Sequence, residues 1–342
     1  MKRCDCLALL LAGMLAAPAA WAEGEAAFAT LDFEWHDAAR ARAVPVRLYL
    51  PVQADAAHPV PLVVFSHGIG GSRAGYRYLG EHWAAQGYAS LHLQHVGSDR
   101  AIWLGNPFSL VDRLQGAARD GEAIARVLDL HFALDTLLAG PLAPRIDATR
   151  IVAAGHSYGA NTTLLAAGAR VEREGRVLDF RDPRIRAAIV LSAPPFYGES
   201  DPAKILAPIT IPTLHVTATE DVIRIPGYYS EAKDRVVVFE ATGSHAKALA
   251  VFEGGSHSIF TDRRGTGGAT QSSTPFLFYS RRIGLNRGRV IPIQAGGRIT
   301  GKVGKYGLGV VNIQAEDEDV SAFARQTLEA DGVTVLTGHR AL

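Results

Sequence analysis

The sequence predicts an α/β fold, a mostly parallel sheet with helices on both faces, followed by an atypical β-rich tail. Three observations predict it. From about Phe28 to Val251, near-continuous apolar runs alternate with segments of helical period, the pattern of strands covered on both faces. One run, "RIVAAG" (150–155), leads into His156-Ser157-Tyr158-Gly159 and then into a helical segment, which makes a strand–turn–helix with a serine at its corner. Near Gly267 the character changes to alternating apolar and polar residues, the period of strands with one polar face.

The elements follow in order. "VPVRLYLP" (44–51) and "PLVVFSHG" (61–68) read as strands. "YRYLGEHWAAQG" (76–87) reads as a helix stopped by Gly87, a suitable residue just past a helix end. "YASLHLQH" (88–95) is a strand. Residues 112 to 138 read as one long helix, with Ala118, Ala123, Ile124, Val127, Leu128 and Leu130 on its apolar face. The strand at 150–155 precedes a helix at 161–170, and "IRAAIVLSA" (185–193), "PTLHVTA" (212–218) and "KALAVFEG" (247–254) supply the last strands of the sheet.

The first residues stand apart from this pattern. Lys2 and Arg3 precede an apolar stretch from Leu7 to about Ala20, and Ala20-Trp21-Ala22 offers a small-residue cleavage site. This predicts a signal peptide over 1–22 and export to the periplasm or beyond a bacterial cell; the stretch is too short for a stable membrane span. Both cysteines, Cys4 and Cys6, fall in that segment. The mature chain is thus expected to have no disulfide, thiol nucleophile or cysteine metal site. Lys+Arg 35 against Asp+Glu 34 gives no hint of the basic stripe that marks a nucleic-acid binder.

A serine on a sharp strand-to-helix turn is exposed for attack, and the helix start places positive potential beside a developing oxyanion. It needs a base and a group to orient that base, which in this arrangement follow in the order Ser, Asp or Glu, His. "PTLHVTATEDVIRIP" puts Glu220 and Asp221 just past a strand end, and "FEGGSHSIF" puts His257 in a glycine-rich loop past the next strand. Both loops would leave the carboxyl ends of parallel strands, on the side of Ser157. Either carboxylate could serve, and Asp221 is preferred. Two backbone donors are needed for the oxyanion: Tyr158, which follows the serine, and Ile69 in the "HGIGG" loop (67–71) after an early strand. Trp103, Phe196 and Tyr197 are candidates for an apolar substrate pocket. His215 is expected in the core, His156 beneath the turn, and His67 bracing the loop that follows it.

These stretches also carry a resemblance. "FSHGIGGSRAGYRYLGEHWAAQGYASLHLQHVGSD", "GHSYGA", "TATEDVIRIPGY" and "FEGGSHSIFTDR" resemble secreted bacterial α/β-hydrolases, the dienelactone-hydrolase-like and platelet-activating-factor-acetylhydrolase-like carboxylesterases, over about residues 28 to 265. The resemblance implies an eight-stranded α/β-hydrolase sheet and ester hydrolysis through an acyl-enzyme. It implies Ser157 as nucleophile, His257 as base and Asp221 as acid, with Ile69 and Tyr158 as the oxyanion hole. It implies no metal or cofactor. The expected partner is a small-molecule or polymeric ester, of short-acyl or polyester type, because no large cap is inserted before Asp221. A peptidase of the same fold and a non-catalytic scaffold or surface-binding protein are the competing classes; the complete set of site residues favours the esterase.

The catalytic domain is expected over 23–274. The remainder, 275–342, departs from the family, which usually continues to a C-terminal helix. "PFLFYSRRIGLNRGRVIPIQAGGRITGKVGKYGLGVVNIQ" (275–314) resembles part of an outer-membrane β-barrel domain. "DEDVSAFARQTLEADGVTVLTGHRAL" (317–342) resembles a fragment of a flavin disulfide oxidoreductase without its redox cysteines. The tail is read as a fused segment of unrelated origin, poorly packed on the hydrolase and conferring neither function.

Overall fold

The computed structural model describes residues 27–262 apart from 226, together with the backbone strands at 285–286, 289–290, 293–303, 306–315 and 334–336. The signal peptide expected over 1–22 and most of the tail lie outside the described residues.

The sheet strands are β1 (Phe28–Asp37), β2 (Arg42–Pro51), β3 (Val60–Ser66), β4 (Ala89–Leu93), β5 (Ile146–His156), β6 (Ile185–Leu191), β7 (Thr213–Glu220) and β8 (Lys247–Ser256). They lie in the order β1-β2-β4-β3-β5-β6-β7-β8. β1 pairs antiparallel with β2, and β2 with β4; every later pairing up to β8 is parallel. The chain therefore has the α/β-hydrolase fold. The helices are α1 (Arg77–Ala85), α2 (Leu110–Ala117), α3 (Asp120–Ala139), α4 (Tyr158–Ala167), α5 (Pro202–Leu206) and α6 (Ala232–Ala241).

Strand β3 shows how the sequence covers both faces. Leu62 and Val64 join the large core cluster with Val127, Leu130 and Leu134 of α3 and Leu164 of α4. Val63 and Phe65, of opposite parity, join a second cluster with Tyr76 and, from α1, Leu79 and Trp83. Alternate side chains of a strand point to opposite faces, so an unbroken apolar run requires helices on each side.

The one long helix expected over 112–138 is two. α2 ends at Ala117, and Arg119 takes an extended backbone (φ −69, ψ 157) before α3 begins at Asp120. Asp120 and Glu122 fall in the first turn of α3, where carboxylates favour the positive end of the helix. Gly121 sits within α3 and does not cause the break. The expected apolar face is itself divided: Val127 and Leu130 of α3 are buried in the core, while Ala118 at the break and Ala123 and Ile124 of α3 line a cavity.

In the tail, Ile293–Val303 and Tyr306–Ala315 pair antiparallel as a two-stranded sheet, in line with the alternation. Thr334–Leu336 adds a short parallel strand beside Ala248–Ala250 of β8, a pairing with the hydrolase sheet that the expectation of a poorly packed tail did not include. The resemblance of the segment 317–342 otherwise falls outside the described residues.

Candidate active site

β5 ends at His156, and Ser157 turns the chain into α4 with φ 55 and ψ −122. A non-glycine residue at positive φ is strained and is held there only by its surroundings. Here the end of β5 and nearly all of α4 are buried, and the Ser157 amide donates to the Leu191 carbonyl at 2.8 Å. A side chain at Gly155 would meet the Gly159 carbonyl, and one at Gly159 would meet the Ser66 carbonyl. The two glycines that flank the serine thus let α4 pass against β5 and β3.

Three expected residues come together here. Ser157 Oγ lies 2.8 Å from His257 Nε2, and His257 Nδ1 lies 2.7 Å from Asp221 Oδ1. His257 opens a 3-10 turn, His257–Phe260, that follows β8. Asp221 follows β7 and is fully buried, whereas Glu220 is exposed. Thr217 Oγ1 donates to Asp221 Oδ2 at 2.8 Å, and the buried Arg235 donates to Oδ1 at 3.3 Å. Burial pushes the Asp221 carboxyl up, but the hydrogen bond and charge of His257 and the charge of Arg235 outweigh it. The net result holds Asp221 well below the usual carboxylate range.

His156 is buried beneath the turn. Its Nε2 is 3.0 Å from the His257 carbonyl oxygen and its Nδ1 2.8 Å from the Tyr76 hydroxyl. A carbonyl only accepts, so Nε2 carries the proton and Tyr76 donates to Nδ1. His156 thereby fixes the backbone of His257. His67 does similar work on the loop after β3. Its Nε2 accepts from the His95 amide at 3.1 Å, which leaves Nδ1 to donate to the Gly68 carbonyl at 2.7 Å. His215 is buried edge-on to Phe239, away from these groups.

The "HGIGG" loop passes over Ser157, close enough that a side chain at Gly68 would lie 3.2 Å from Ser157 Cβ. The Gly70 amide donates to the Ser98 carbonyl at 2.8 Å and the Gly71 amide to the Gly68 carbonyl at 3.0 Å. The amides of Ile69 and Tyr158 have no such partner among the described residues. For Tyr158 this follows from its place in the first turn of α4, whose N–H groups have no carbonyl one turn back.

Arg126 is the residue that sequence reasoning missed. It is fully buried on α3. It donates to Ser98 Oγ at 2.7 Å, to Thr162 Oγ1 at 3.0 Å and to the His67 carbonyl, and its guanidinium lies 4.5 Å from the centre of the Tyr158 ring. One side chain thus ties the glycine loop to the start of α4. Burial pushes it down to about 10, so it remains charged at neutral pH. The signal available in the sequence was a lone arginine beside Val127 and Leu130 on a helix, which reads as an edge residue until the loop is folded over it.

A cavity of ≈ 580 Å³ opens beside Ser157 between α3, α4 and the hairpin Arg170–Arg173/Arg176–Asp179. Ile69, Tyr158, Phe196 and Tyr197 are among its lining. Trp103 is not, which corrects its assignment to the pocket. Its indole N–H donates to the Gly70 carbonyl at 2.8 Å, so the ring braces the outside of the glycine loop. Among the described residues no group of His, Cys, Asp or Glu is arranged to hold a metal ion, and no helix is long and apolar enough to cross a membrane.

The buried imidazoles set a pH dependence. Burial pushes His67 well below its ordinary value and takes His92 and His156 down to about 3. In the unfolded chain they would take up protons near pH ~6.5, which the folded chain refuses. Stability is therefore present above that pH and is lost as pH falls from about 6.5 towards about 3. Asp221, depressed in the fold, adds a loss at lower pH, below the ordinary carboxylate range. Urea midpoints measured from pH 8 downward should begin to fall between about pH 7 and 6; a flat profile to pH 5 would show that these histidines are not buried neutral.

The comparisons bear on this fold. The family described as platelet-activating factor acetylhydrolase, isoform II, matches residues 36–103, which carry the glycine loop. No match was found among curated proteins. A ferulic acid esterase from Streptomyces cinnamoneus is 25% identical, with a TM-score of 0.51 over 72% of this chain and 78% of that one. A cold-adapted esterase from an Arctic intertidal metagenomic library is 18% identical, with a TM-score of 0.49 over 68% and 87%. A dienelactone hydrolase from Anabaena variabilis is 19% identical, with a TM-score of 0.46 over 67% and 88%. The chain resembles the α/β-hydrolase esterases, as its motifs led us to expect.

Proposed function

We propose that this carboxylesterase-type hydrolase cleaves short-acyl or polyester-type esters through an acyl-enzyme formed on Ser157. The observation that carries the reading is the unbroken chain from Ser157 Oγ through His257 to Asp221, at 2.8 and 2.7 Å. His257 Nε2 takes the proton as Ser157 Oγ attacks the ester carbonyl. The Ile69 and Tyr158 amides, which have no other partner among the described residues, receive the oxyanion. His257 then passes the proton to the departing alcohol, and a water repeats the attack on the acyl-enzyme. Asp221, ionised and fixed by Thr217 and Arg235, keeps the proton of the resting imidazole on Nδ1 and balances the imidazolium that forms.

The cavity beside Ser157 is of a size that suits one small ester or one arm of a chain. Its lining is largely apolar and includes Val171, Leu178 and Phe180 from the hairpin region. The signal-like segment over 1–22 and the absence of cysteine after it support an exported enzyme, periplasmic or extracellular.

The direct test is hydrolysis of p-nitrophenyl acetate and butyrate with rapid quenching. A burst of p-nitrophenol matching the enzyme concentration is expected, with the acyl group found on the peptide that contains Ser157 by mass spectrometry. Turnover with the acyl group on another residue, or no turnover by folded protein, would reject this assignment.

A further inference from the structure

Several buried side-chain polar atoms have no hydrogen-bond partner among the described residues, and two of them belong to residues that line the cavity beside Ser157. They are the Tyr158 hydroxyl and Asn161 Oδ1. Asn161 is only 8% exposed, and its Oδ1 has no hydrogen-bond partner among the described residues. Buried polar groups of this kind are normally satisfied, so an unpaired one needs an explanation.

Their placement supplies one. Ser157, Tyr158 and Asn161 stand at the start of α4, and the Asn161 amide donates back to the Ser157 carbonyl at 3.3 Å. Residues three and four apart on a helix have neighbouring side chains, with Cβ atoms about 5–6 Å apart. Asn161 is therefore beside Tyr158, and both line the cavity together with Ser157. The neighbouring Thr162 is already committed, since it receives Arg126 and donates to the Tyr158 carbonyl. Asp120 and Arg173, further along the cavity, are paired with each other. Ile69, Ile124, Leu165 and Ile223 add apolar surface to the same lining.

We propose that Tyr158 and Asn161 form a polar subsite for a hydroxyl on the acyl chain, so that hydroxyacyl esters are preferred over their deoxy analogues. A hydroxyl both donates and accepts. It can give its proton to Asn161 Oδ1 and receive that of Tyr158. Ser157, Tyr158 and Asn161 line the same cavity, so the hydroxyl would sit close to the acyl carbonyl, and the third carbon is the position tested. The inference rests on Ser157 as the site of attack. A pocket built to hydrogen-bond a hydroxyl discriminates well against a substrate that lacks it, because its own polar groups are then left buried and unpaired.

The experiment compares p-nitrophenyl 3-hydroxybutyrate, each enantiomer, with p-nitrophenyl butyrate on the full chain. We expect kcat/KM to favour one hydroxy ester by about tenfold or more, and the ratio to fall to within about twofold in Asn161→Leu and in Tyr158→Phe. A wild-type ratio near unity, or a ratio unchanged in both variants, would overturn the subsite. Binding of methyl 3-hydroxybutyrate and methyl butyrate to Ser157→Ala, followed by NMR titration, keeps this separate from the esterase reading. Tighter binding of the hydroxy ester, lost in Ser157→Ala/Asn161→Leu, would support the subsite even if turnover failed. Equal binding of the two esters would reject it even if both were hydrolysed.

Discussion

Replacing Ser157 by alanine is expected to lower kcat for p-nitrophenyl butyrate by about 10⁴- to 10⁶-fold, with little change in KM. The size of the loss follows from what Ser157 supplies. Its Oγ is the atom within reach of His257 Nε2, and without it the two amides and the cavity remain but have no covalent step to serve. The small effect on KM follows from the cavity, in whose lining Ser157 is one small residue among many from α3, α4 and the hairpin region. Alanine can occupy the same backbone conformation, so the variant should remain folded. Steady-state kinetics beside a thermal melt give the result. A variant that keeps a tenth or more of wild-type turnover would reject nucleophilic attack by Ser157 and leave water attack assisted by His257. A wild-type protein that is folded but inert would favour the scaffold reading.

How much of this site was legible beforehand depended on whether a residue's role is local. Ser157 is announced by its own turn, because the glycines on either side are required by backbone passing within contact of β5 and α4. His257 and Asp221 follow from a general rule, that loops after parallel strands gather on one side of the sheet. Asp221 was preferred to Glu220 but sequence could not decide between them, since adjacent loop residues differ only in direction. In the structure Asp221 is the carboxylate beside Thr217, Arg235 and His257, while Glu220 is exposed. The break between α2 and α3 was hidden because Ala117, Ala118, Ala123 and Ile124 continue a helical period across it. Arg126 was hidden for a different reason. Its value comes from four partners on three separate elements, and none lies within 20 positions of it in the chain. Trp103 misled in the opposite sense, as an aromatic near the loop that packs on the outside of Gly70 rather than into the cavity.

Removing the Asp221 carboxylate should cost almost as much as removing the serine. Asp221→Ala is expected to lower kcat by about 10⁴-fold. It should also destabilise the fold by about 3–5 kcal/mol, because Arg235 is only 3% exposed and would be left with a buried charge and no carboxylate beside it. Asp221→Asn separates the two duties of the acid. The Oδ1 position faces two donors, His257 Nδ1–H at 2.7 Å and Arg235 at 3.3 Å. The Oδ2 position faces Thr217 Oγ1 at 2.8 Å, a hydroxyl that can turn and accept. An amide at this position should therefore point its oxygen at His257 and its NH2 at Thr217. That orientation keeps the proton on Nδ1 and loses only the negative charge, so Asp221→Asn should retain more activity than Asp221→Ala. Replacing Thr217 by valine in the Asp221→Asn background removes the acceptor for the NH2 and should bring the activity down towards that of Asp221→Ala. Glu220→Gln, altering an exposed side chain outside the hydrogen-bonded chain, should leave kcat within about twofold of wild type, as surface changes away from such features usually do. If Glu220→Gln were the damaging change and Asp221→Ala the mild one, the acid would be misassigned. If Asp221→Asn were no better than Asp221→Ala, Arg235 and Thr217 would not be setting the orientation of the residue between them, and the negative charge beside His257 would be the whole of what Asp221 contributes.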